Sequence, residues 1–450
     1  MNKKFKYLIF LLSFSLLFNC SFDRKSGVWS GSEKEKVRLS KIEKDQKEIL
    51  ETIKVYSSDT TFSEEILPKK EVILSNPKQN LIWVMPGLNL QNNTSHIYLA
   101  SIKNKFLKKK IGKNKFSISQ IMQSPLSINN NIIFSDDTGT IFNINNAGKV
   151  NWKKNIYKKV YKKIYKTLAF SIYNRVIYVA DNIGFVYAVN LENGKVIWIK
   201  NHGIPFKSKI KVYKNKMYVI DQDNRLLSFN IKEGTKIWDV RTITSFIKSQ
   251  TFLALAISKN GKLIMINSSG DLLKVDASKG SINWALNTTD TSFAHDTDFF
   301  KTSDAVVDKN NVIFSTASSI YSFKLDSGLI NWKKDIGSTN TPVVDNDNIF
   351  FVTDNGYFLN INKNSGEITW STNVLKVLKK RKRKTNISGF IMGSGKIYIT
   401  TFNGHLIVCS ASSGKVEYSK KIADSISASP IISNNSLLIL TGNFRILGFN

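Results

Sequence analysis

The stretch NIGFVYAVNLENGKVIW, residues 182–198, joins a strand-length apolar segment to a polar turn ending at Gly194, and a large ring, Trp198, follows four positions later. This glycine-to-ring spacing recurs along the chain. Seven rings stand in the same register: Trp152, Trp198, Trp238, Trp284, Trp332, Trp370 and Tyr418. Because neighbouring rings lie 38 to 48 residues apart, the chain is predicted to be an array of similar supersecondary units.

Each period contains the same succession of segments. In one period these are VIYVA (176–180), the turn NIG (182–184) and VYAVN (186–190), followed by a loop that ends at Gly194. The apolar character is continuous, which indicates strands buried on both faces, and glycine supplies the positive φ of a tight hairpin. Four-stranded antiparallel units at this period predict an all-β fold, a β-propeller. The ring on each fourth strand is expected to cover the seam against the neighbouring sheet.

The number of blades follows from counting strands. Eight three-strand units occur, but only seven are followed by a ring-bearing strand. The segment FLKKKIG (106–112) aligns with NWKKDIG (331–337) and places Leu107 in the ring position. We therefore predict an eight-bladed β-propeller of four-stranded antiparallel blades, closed by this N-terminal strand pairing with the C-terminal blade.

Three regions are predicted, of which the propeller occupies residues 81–450. Residues 1–20 resemble a lipoprotein signal peptide, with lysines, an apolar run and then Cys20, which would be acylated, for example with palmitate. An ordinary signal peptide or an uncleaved anchor is the alternative. Residues 21–80 are charged and nearly free of aromatics, which we interpret as a flexible tether. The second cysteine, Cys409, is expected to be a small buried hydrophobe.

The chain is strongly basic, with 65 lysines and arginines against 34 acidic residues and a net charge of +31. Such a balance is compatible with nucleic-acid binding. A secreted chain rarely meets nucleic acid, however, and the richness in Lys, Asn and Ile extends through the whole sequence. No nucleic-acid partner is therefore predicted, and a basic surface beside anionic lipid is expected instead.

Long loops between successive blades are predicted to emerge on one face, whereas the turns of the opposite face are short. Loops on a rigid scaffold commonly carry binding sites. Two of these loops are basic, at residues 158–166 and 376–384, and we interpret them as solvated. No catalytic residue, metal site or cofactor is predicted, since the four histidines lack metal-ligand spacing. Of these, His202 and His405 are expected at the surface.

Two elements of the sequence carry a family resemblance. Asp276, Gly280 and Trp284 keep a D-x-x-x-G-x-x-x-W element similar to that of quinoprotein dehydrogenases and other PQQ-type propellers. Residues 82–99 resemble a segment that precedes blade closure in some propeller lipoproteins. Together with the signal and the tether, the whole chain resembles the propeller lipoproteins of the outer-membrane β-barrel assembly machinery, the BAM complex.

The resemblance implies a non-enzymatic scaffold, lipid-anchored at the periplasmic face of the outer membrane. Such a scaffold binds the periplasmic domains of the barrel-inserting subunit and aids insertion of outer-membrane proteins, and nascent outer-membrane proteins are a further candidate partner. Two partner-binding loops are implied, which here contain Phe246, Ile247 and Lys248, and Asp296 and Asp298. Lys248 stands where the family has arginine, so the bidentate fork is lost.

Two other functions remain open on the sequence alone. A PQQ-dependent dehydrogenase would share the repeats, but those enzymes are known for adjacent cysteines and a calcium-bound catalytic acid, and this chain has no adjacent cysteines. A polyanion-binding periplasmic propeller would bind lipopolysaccharide or nucleic acid in a strongly salt-dependent manner.

Overall fold

The computed structural model describes residues 22–23, 28–29, 33–52, 62–69, 71–116, 122–242, 249, 251–287, 301–382 and 384–450. The elements that precede the repeats are a short strand pair, β1 and β2, a helix, α1, and one strand, β3. In order they span Phe22–Asp23, Val28–Trp29, Glu33–Thr52 and Lys105–Lys110.

The other strands form sheets of four antiparallel strands, in which each strand pairs with the next along the chain. Blade 1 contains β4 to β7: Leu126–Ile128, Asn131–Ser135, Thr140–Asn145 and Val150–Asn155. Blade 2 contains β8 to β11: Leu168–Tyr173, Val176–Asp181, Phe185–Asn190 and Val196–Asn201. Blade 3 contains β12 to β15: Lys211–Tyr213, Lys216–Ile220, Leu226–Asn230 and Lys236–Val240. Blade 4 contains β16 to β19: Ala254–Ile257, Lys262–Ile266, Asp271–Asp276 and Ile282–Asn287.

The second half repeats the pattern. Blade 5 contains β20 to β23: Val306–Asp308, Asn311–Ser315, Ile320–Lys324 and Ile330–Lys334. Blade 6 contains β24 to β27: Val343–Asp345, Asn348–Val352, Tyr357–Asn362 and Ile368–Asn373. Blade 7 contains β28 to β31: Ile387–Gly393, Lys396–Thr401, His405–Ser410 and Val416–Lys421. Blade 8 contains β32 to β34, Ile431–Ser433, Ser436–Leu440 and Arg445–Phe449, together with β3. Within the described connecting loops, three 3-10 helices occur: Lys159–Tyr161, Val374–Val377 and Lys380–Lys382.

The ring closes through β3, as the sequence predicts. This strand pairs antiparallel with β34 at the other end of the chain and completes the sheet order β3-β34-β33-β32. Just outside the ladder, Asn104 and Asn450 exchange two backbone N–H···O bonds of 2.9 Å each. Leu107 is buried, and a Cβ on Gly148 of blade 1 would lie 3.1 Å from its Cδ1. Leu107 therefore occupies the ring position, and the prediction of an eight-bladed propeller is confirmed.

The glycine-to-ring spacing has a direct structural cause, seen at Gly194 in the third-to-fourth-strand hairpin of blade 2. Its amide donates to Asn190 O at 3.0 Å, and its φ of +68° lies in the left-handed region that favours glycine. A Cβ there would lie only 2.7 Å from Cε3 of Trp152 in blade 1. The Trp152 Nε1–H donates to Leu191 O at 2.8 Å in the same hairpin. The ring of one blade is thus covered by the hairpin of the next, as predicted.

The same packing recurs around the ring at five further pairs: Gly234 on Trp198, Gly280 on Trp238, Gly328 on Trp284, Gly366 on Trp332 and Gly414 on Trp370. The second and third strands of each blade are almost entirely buried, in agreement with their continuous apolar sequences. Burial of such runs between stacked sheets supplies the main stabilisation of the ring.

Part of the segment interpreted as a tether is bonded to the propeller. Ile66 forms an antiparallel bridge with Ser371 on the outer strand of blade 6. Farther along, Val72 N donates to Ser412 O at 3.0 Å, and Ser75 N donates to the Asp345 carboxylate at 2.8 Å. Residues 62–69 and 71–80 therefore run along blades 6 and 7 before reaching the propeller axis.

Candidate functional site: the plugged channel and the loop-bearing face

One end of the central channel is crossed by residues 80–98, a stretch we call the plug. Its backbone bonds to the ends of first strands in blades 1, 2, 4 and 5: Trp83 N to Ser127 O (2.6 Å), Ile172 N to Val84 O (2.7 Å), Ile257 N to Leu90 O (2.8 Å) and Val307 N to Gln91 O (2.9 Å). First strands end on the face that carries the short turns. The plug therefore closes the short-turn face, and the long loops stand on the opposite, loop-bearing face.

A buried lysine holds the plug in place. Lys211 of blade 3 is 1% exposed, and its ammonium donates to Pro86 O, Asn89 O and Asn92 Oδ1 at 2.6, 2.7 and 2.6 Å. The Asn92 amide in turn donates to two backbone carbonyls of blades 4 and 5: Leu255 O (2.9 Å) and Ala305 O (2.8 Å). Burial lowers the pKa of Lys211 to about 7. The one signal for this role in the sequence is a lysine on an inner strand whose other residues are largely apolar.

The channel above the plug is narrow. Lys209 and Asp304 form an ion pair of 2.5 Å between the starts of blades 3 and 5. Two cavities border this pair, and each has a volume of about 70 Å³. Sites for small organic molecules usually occupy about 300–1,000 Å³. The described channel is therefore suited to a few water molecules rather than to a cofactor of quinone size.

The helix α1 covers the loops of blades 1 and 2 on the loop-bearing face. Arg38 donates from Nη1 to Ile183 O and to Gly203 O, the second at 3.1 Å. Glu35 accepts from Arg38 Nη2 at 2.7 Å and from the Tyr161 hydroxyl at 3.1 Å. Two apolar helix side chains are buried in the same cluster as Tyr161: Leu39 and Ile42. This docking has little signal in the sequence, because the charged helix carries only a short apolar stripe.

The side chains implied in partner binding lie outside the described residues: Phe246, Ile247, Lys248, Asp296 and Asp298. Cys20 also lies outside them. The residues that follow the two loops are described and buried. Thr251 Oγ1 donates to Thr302 O, and Thr302 N donates to Thr251 Oγ1, both at 3.1 Å. Thr251 and Thr302, which follow the segments 243–250 and 288–300, therefore lie side by side on the loop-bearing face.

The first of the two basic loops differs in part from the solvated chain that is expected, whereas Lys376, Lys379, Lys380 and Lys384 of the second are exposed. Lys166 is buried, and its ammonium donates to Tyr161 O and, at 2.7 Å, to Ile164 O. Burial lowers the pKa of Lys166 to about 8. In the second loop Lys376 forms an ion pair with Glu65. The expectation of a solvated loop is wrong for Lys166, because its turn needs the ammonium to satisfy inward-facing carbonyls.

The histidines at the expected surface positions are not plain surface residues. His405 is 6% exposed and bonds to Asn403 Oδ1 at 2.9 Å. His202 lies 3.1 Å from the Asp221 carboxylate and stacks on Phe206. Among the described residues, no group of three or more His, Cys, Asp and Glu side chains is arranged to hold a metal ion. Cys409 is buried as a free thiol, as expected.

Fold and site together define a closed eight-bladed propeller whose channel is plugged at one end by its own N-terminal segment and whose long loops share the other face. Among the described helices, none is both long and apolar enough to cross a membrane. A family model described as outer membrane protein assembly factor BamB matches residues 137–372, more than half of the chain. The chain belongs to this BamB family.

Individual relatives agree with this assignment at low identity. The chain is 23% identical to outer membrane protein assembly factor BamB of Yersinia pestis over 61% of its length and 68% of the relative. It is 21% identical to the BamB of Moranella endobia (strain PCIT) over 60% of its length and 71% of the relative. The relatives are thus named as assembly factors of outer-membrane proteins.

Solved structures show the fold. The crystal structure of BamB from Moraxella catarrhalis matches with a TM-score of 0.60 and 13% identity, over 78% of this chain and 98% of that one. The quinohemoprotein alcohol dehydrogenase of Comamonas testosteroni matches with a TM-score of 0.62 and 9% identity, over 82% of this chain and 80% of that one. Because the BamB structure and the dehydrogenase structure fit about equally well, the fold alone does not identify the function of this chain, and the evidence for function must come from the site.

Proposed function

We propose that this chain is a non-enzymatic scaffold of the outer-membrane β-barrel assembly complex and that it binds the periplasmic domains of the barrel-inserting subunit. The loops at residues 243–250 and 288–300 form the contact. Phe246 and Ile247 supply its apolar part. Lys248, with Asp296 and Asp298 on the second loop, supplies its charges.

The observation that carries this proposal is the pair of hydrogen bonds between Thr251 and Thr302, each 3.1 Å long. They join the ends of the two loops. Thr251 and Thr302 belong to the closed propeller, so the distance between the points at which the two loops rejoin it is set before the partner arrives. Preorganisation of this kind lowers the entropy cost of association. A two-loop contact on a rigid disc is therefore well suited to orienting another protein's domains.

The absence of catalysis is the second part of the proposal. The small cavities around Lys209 and Asp304 support it, as each measures about 70 Å³. Adding pyrroloquinoline quinone and calcium to the purified protein tests it. We expect no stoichiometric change in absorbance or mass and no dye reduction. Stoichiometric binding with dye reduction would overturn the scaffold assignment in favour of a dehydrogenase.

Anchoring at the periplasmic face of the outer membrane by a lipid on Cys20 is the third part. A Cys20→Ser variant tests it through cell fractionation. The wild type is expected with the outer membrane and the variant in the soluble periplasmic fraction. Retention of the variant in the membrane fraction would contradict a lipid anchor at this cysteine.

Site-specific photocrosslinking in cells tests the partner surface. A crosslinker at Ile247 is expected to yield an adduct with the barrel-inserting subunit. The matched control is Asn193, an exposed residue of a hairpin on the short-turn face, from which no such adduct is expected. Recovery of only lipid or of no protein from Ile247, or the same adduct from both positions, would refute the proposed contact. Nascent outer-membrane proteins among the adducts would identify a client-binding role.

A further inference from the structure

The seam between blades 7 and 8 is built differently from the others. Elsewhere a hairpin joins the third and fourth strands of a blade, and its glycine covers the ring of the preceding blade or, for blade 1, Leu107 in the ring position of blade 8. In blade 8 these two strands are β34 and β3, which come from opposite ends of the chain, so no hairpin connects them. The ring that such a hairpin would cover is Tyr418. It is 44% exposed, whereas Trp370 in the preceding seam is 0% exposed.

A cavity of about 670 Å³ opens at this seam, which we call the seam pocket. Its floor is apolar and includes the side chains of Tyr398, Leu406 and Val408, all of which are buried. Tyr418 forms one wall and Phe449 of β34 another. The volume falls within the range of about 300–1,000 Å³ that small-molecule sites occupy. It is also far larger than either axial cavity.

The pocket carries a strong positive charge. Its lining includes six lysines and one acidic residue, Glu417: Lys103, Lys105, Lys108, Lys396, Lys420 and Lys421. Glu417 is already paired with Lys396 at 2.5 Å. Within the described part of the chain, no carboxylate forms an ion pair with the other five lysines. Because these five lysines are exposed, water and salt screen their mutual repulsion in part, and a counter-anion in the concave site would relieve the remainder.

We propose that the seam pocket binds a single-chain anionic amphiphile, a molecule with a carboxylate or phosphate head and one aliphatic chain. The chain lies on Leu406 and Val408 against the Tyr418 ring, in the space that a hairpin fills in the other seams. The head meets the ammonium groups of Lys105 and Lys420 at the rim. An apolar floor gives no preference for a small inorganic anion, and a ring of lysines gives none for a neutral lipid. The amphiphile satisfies both features at once.

The probe for this site is dansyl-labelled undecanoic acid, whose fluorescence rises in an apolar environment, titrated into the purified full-length protein. Saturable binding is expected. Dodecanoate and dodecyl phosphate should displace the probe, and the tighter of the two identifies the preferred head. Dodecanol, dodecylphosphocholine and inorganic phosphate should not displace it. Absence of saturable binding, or displacement by dodecanol or by inorganic phosphate alone, would overturn the proposal.

Charge reversal provides a matched pair of variants. Lys420 stands opposite Leu406 in blade 7, as Lys200 stands opposite Val186 in blade 2, so the two lysines occupy the same position of the repeat. We expect Lys420→Glu to weaken probe binding by about fivefold, from the loss of one attraction and the gain of one repulsion at a partly exposed site. Lys200→Glu changes the net charge equally and should leave binding unchanged. Equal effects of the two variants would show nonspecific attraction and refute the site.

Filling the pocket tests its apolar half. Ala100 is exposed and lines the cavity, so Ala100→Trp adds a ring to the pocket without disturbing a buried contact. The variant should keep the wild-type melting temperature and lose probe binding by about tenfold or more. A variant that folds and binds the probe as the wild type does would exclude the seam pocket as the binding site.

Discussion

Replacing Gly414 by alanine tests the glycine-on-ring packing that joins blades 6 and 7. Gly414 lies in a hairpin of blade 7 with a φ of +72°, and an added Cβ would lie 2.6 Å from both Cε3 and Cζ3 of Trp370. That ring is 0% exposed. It also stands edge-on against Phe358, with 4.8 Å between ring centroids. The Trp370 side chain therefore has no space into which it can shift, and the packing between blades 6 and 7 must distort to relieve the clash.

The expected magnitude has three parts. A left-handed backbone costs a residue with a Cβ about 1–2 kcal/mol. Overpacking a close-packed site adds about 1–3 kcal/mol. Restriction of the unfolded chain by alanine returns about 0.4–1 kcal/mol. We therefore expect Gly414→Ala to lower the free energy of unfolding by about 3 kcal/mol.

Gly203 provides the matched control. Its φ is +82°, but an added Cβ would meet no atom within 4 Å. Gly203→Ala therefore has the cost of the left-handed backbone and the gain from a restricted unfolded chain, but no clash. We expect it to lower the free energy of unfolding by about 1 kcal/mol or less. Urea unfolding followed by tryptophan fluorescence measures both variants, with the slope checked for constancy. Equal losses in the two variants would refute the idea that ring contact, rather than backbone conformation, makes glycine necessary at these seams.

Three further predictions concern the tryptophan side chains between the blades, the plug and α1. Trp198 Nε1–H donates to Ile231 O at 3.0 Å, whereas the buried Trp238 Nε1 has no hydrogen-bond partner among the described residues. Trp238→Phe should therefore lower the free energy of unfolding by about 1–2 kcal/mol less than Trp198→Phe does, as measured by urea unfolding. Lys211→Met should cost about 3 kcal/mol at neutral pH, because three oxygens of the plug lose their donor. Burial lowers the pKa of Lys211 from 10.5 to about 7 in the folded protein. At pH values between these two pKa values the unfolded chain binds one more proton than the folded protein, so the free energy of unfolding of the wild type should increase as pH rises above 7. Lys211→Met should lack this increase. Parallel plots of unfolding free energy against pH for the two proteins would contradict this prediction. Arg38→Ala should release α1 and raise its amide hydrogen exchange, whereas Lys36→Ala, which removes only the exposed pair with Glu33, should not; unchanged protection in Arg38→Ala would argue against docking through that guanidinium.

The sequence predicts the closed circle of blades because its turns and aromatic residues recur periodically. Each repeat supplies the same turn and the same aromatic side chain, so the seams could be inferred without knowing their partners. The closure by β3 also followed from the pattern, since Leu107 fills a register position that the last blade lacks. These features depend on local spacing, which sequence displays directly.

The plug and the docked helix have no such period. Lys211 and Asn92 are more than a hundred positions apart, and nothing in the spacing of either residue connects them. Lys166 and His405 were placed at the surface on residue type, yet both are buried because nearby polar groups satisfy them. Buried polar side chains with specific partners are the features that composition predicts least well. Such buried polar contacts also fix the position of the parts of this protein that do not repeat.

The path of the N-terminal region decides which surface remains for a partner. The plug closes the short-turn face, α1 covers the long loops of blades 1 and 2, and Glu65 pairs with Lys376 beside blade 6. The sector between them, at blades 3 to 5, contains the bonded pair Thr251 and Thr302, the residues that follow the segments 243–250 and 288–300. The partner proposed above would meet this sector without displacing α1. Crosslinking from Ile247 should therefore be unaffected by Arg38→Ala; a loss of the adduct in that variant would mean that the docked helix itself belongs to the contact surface.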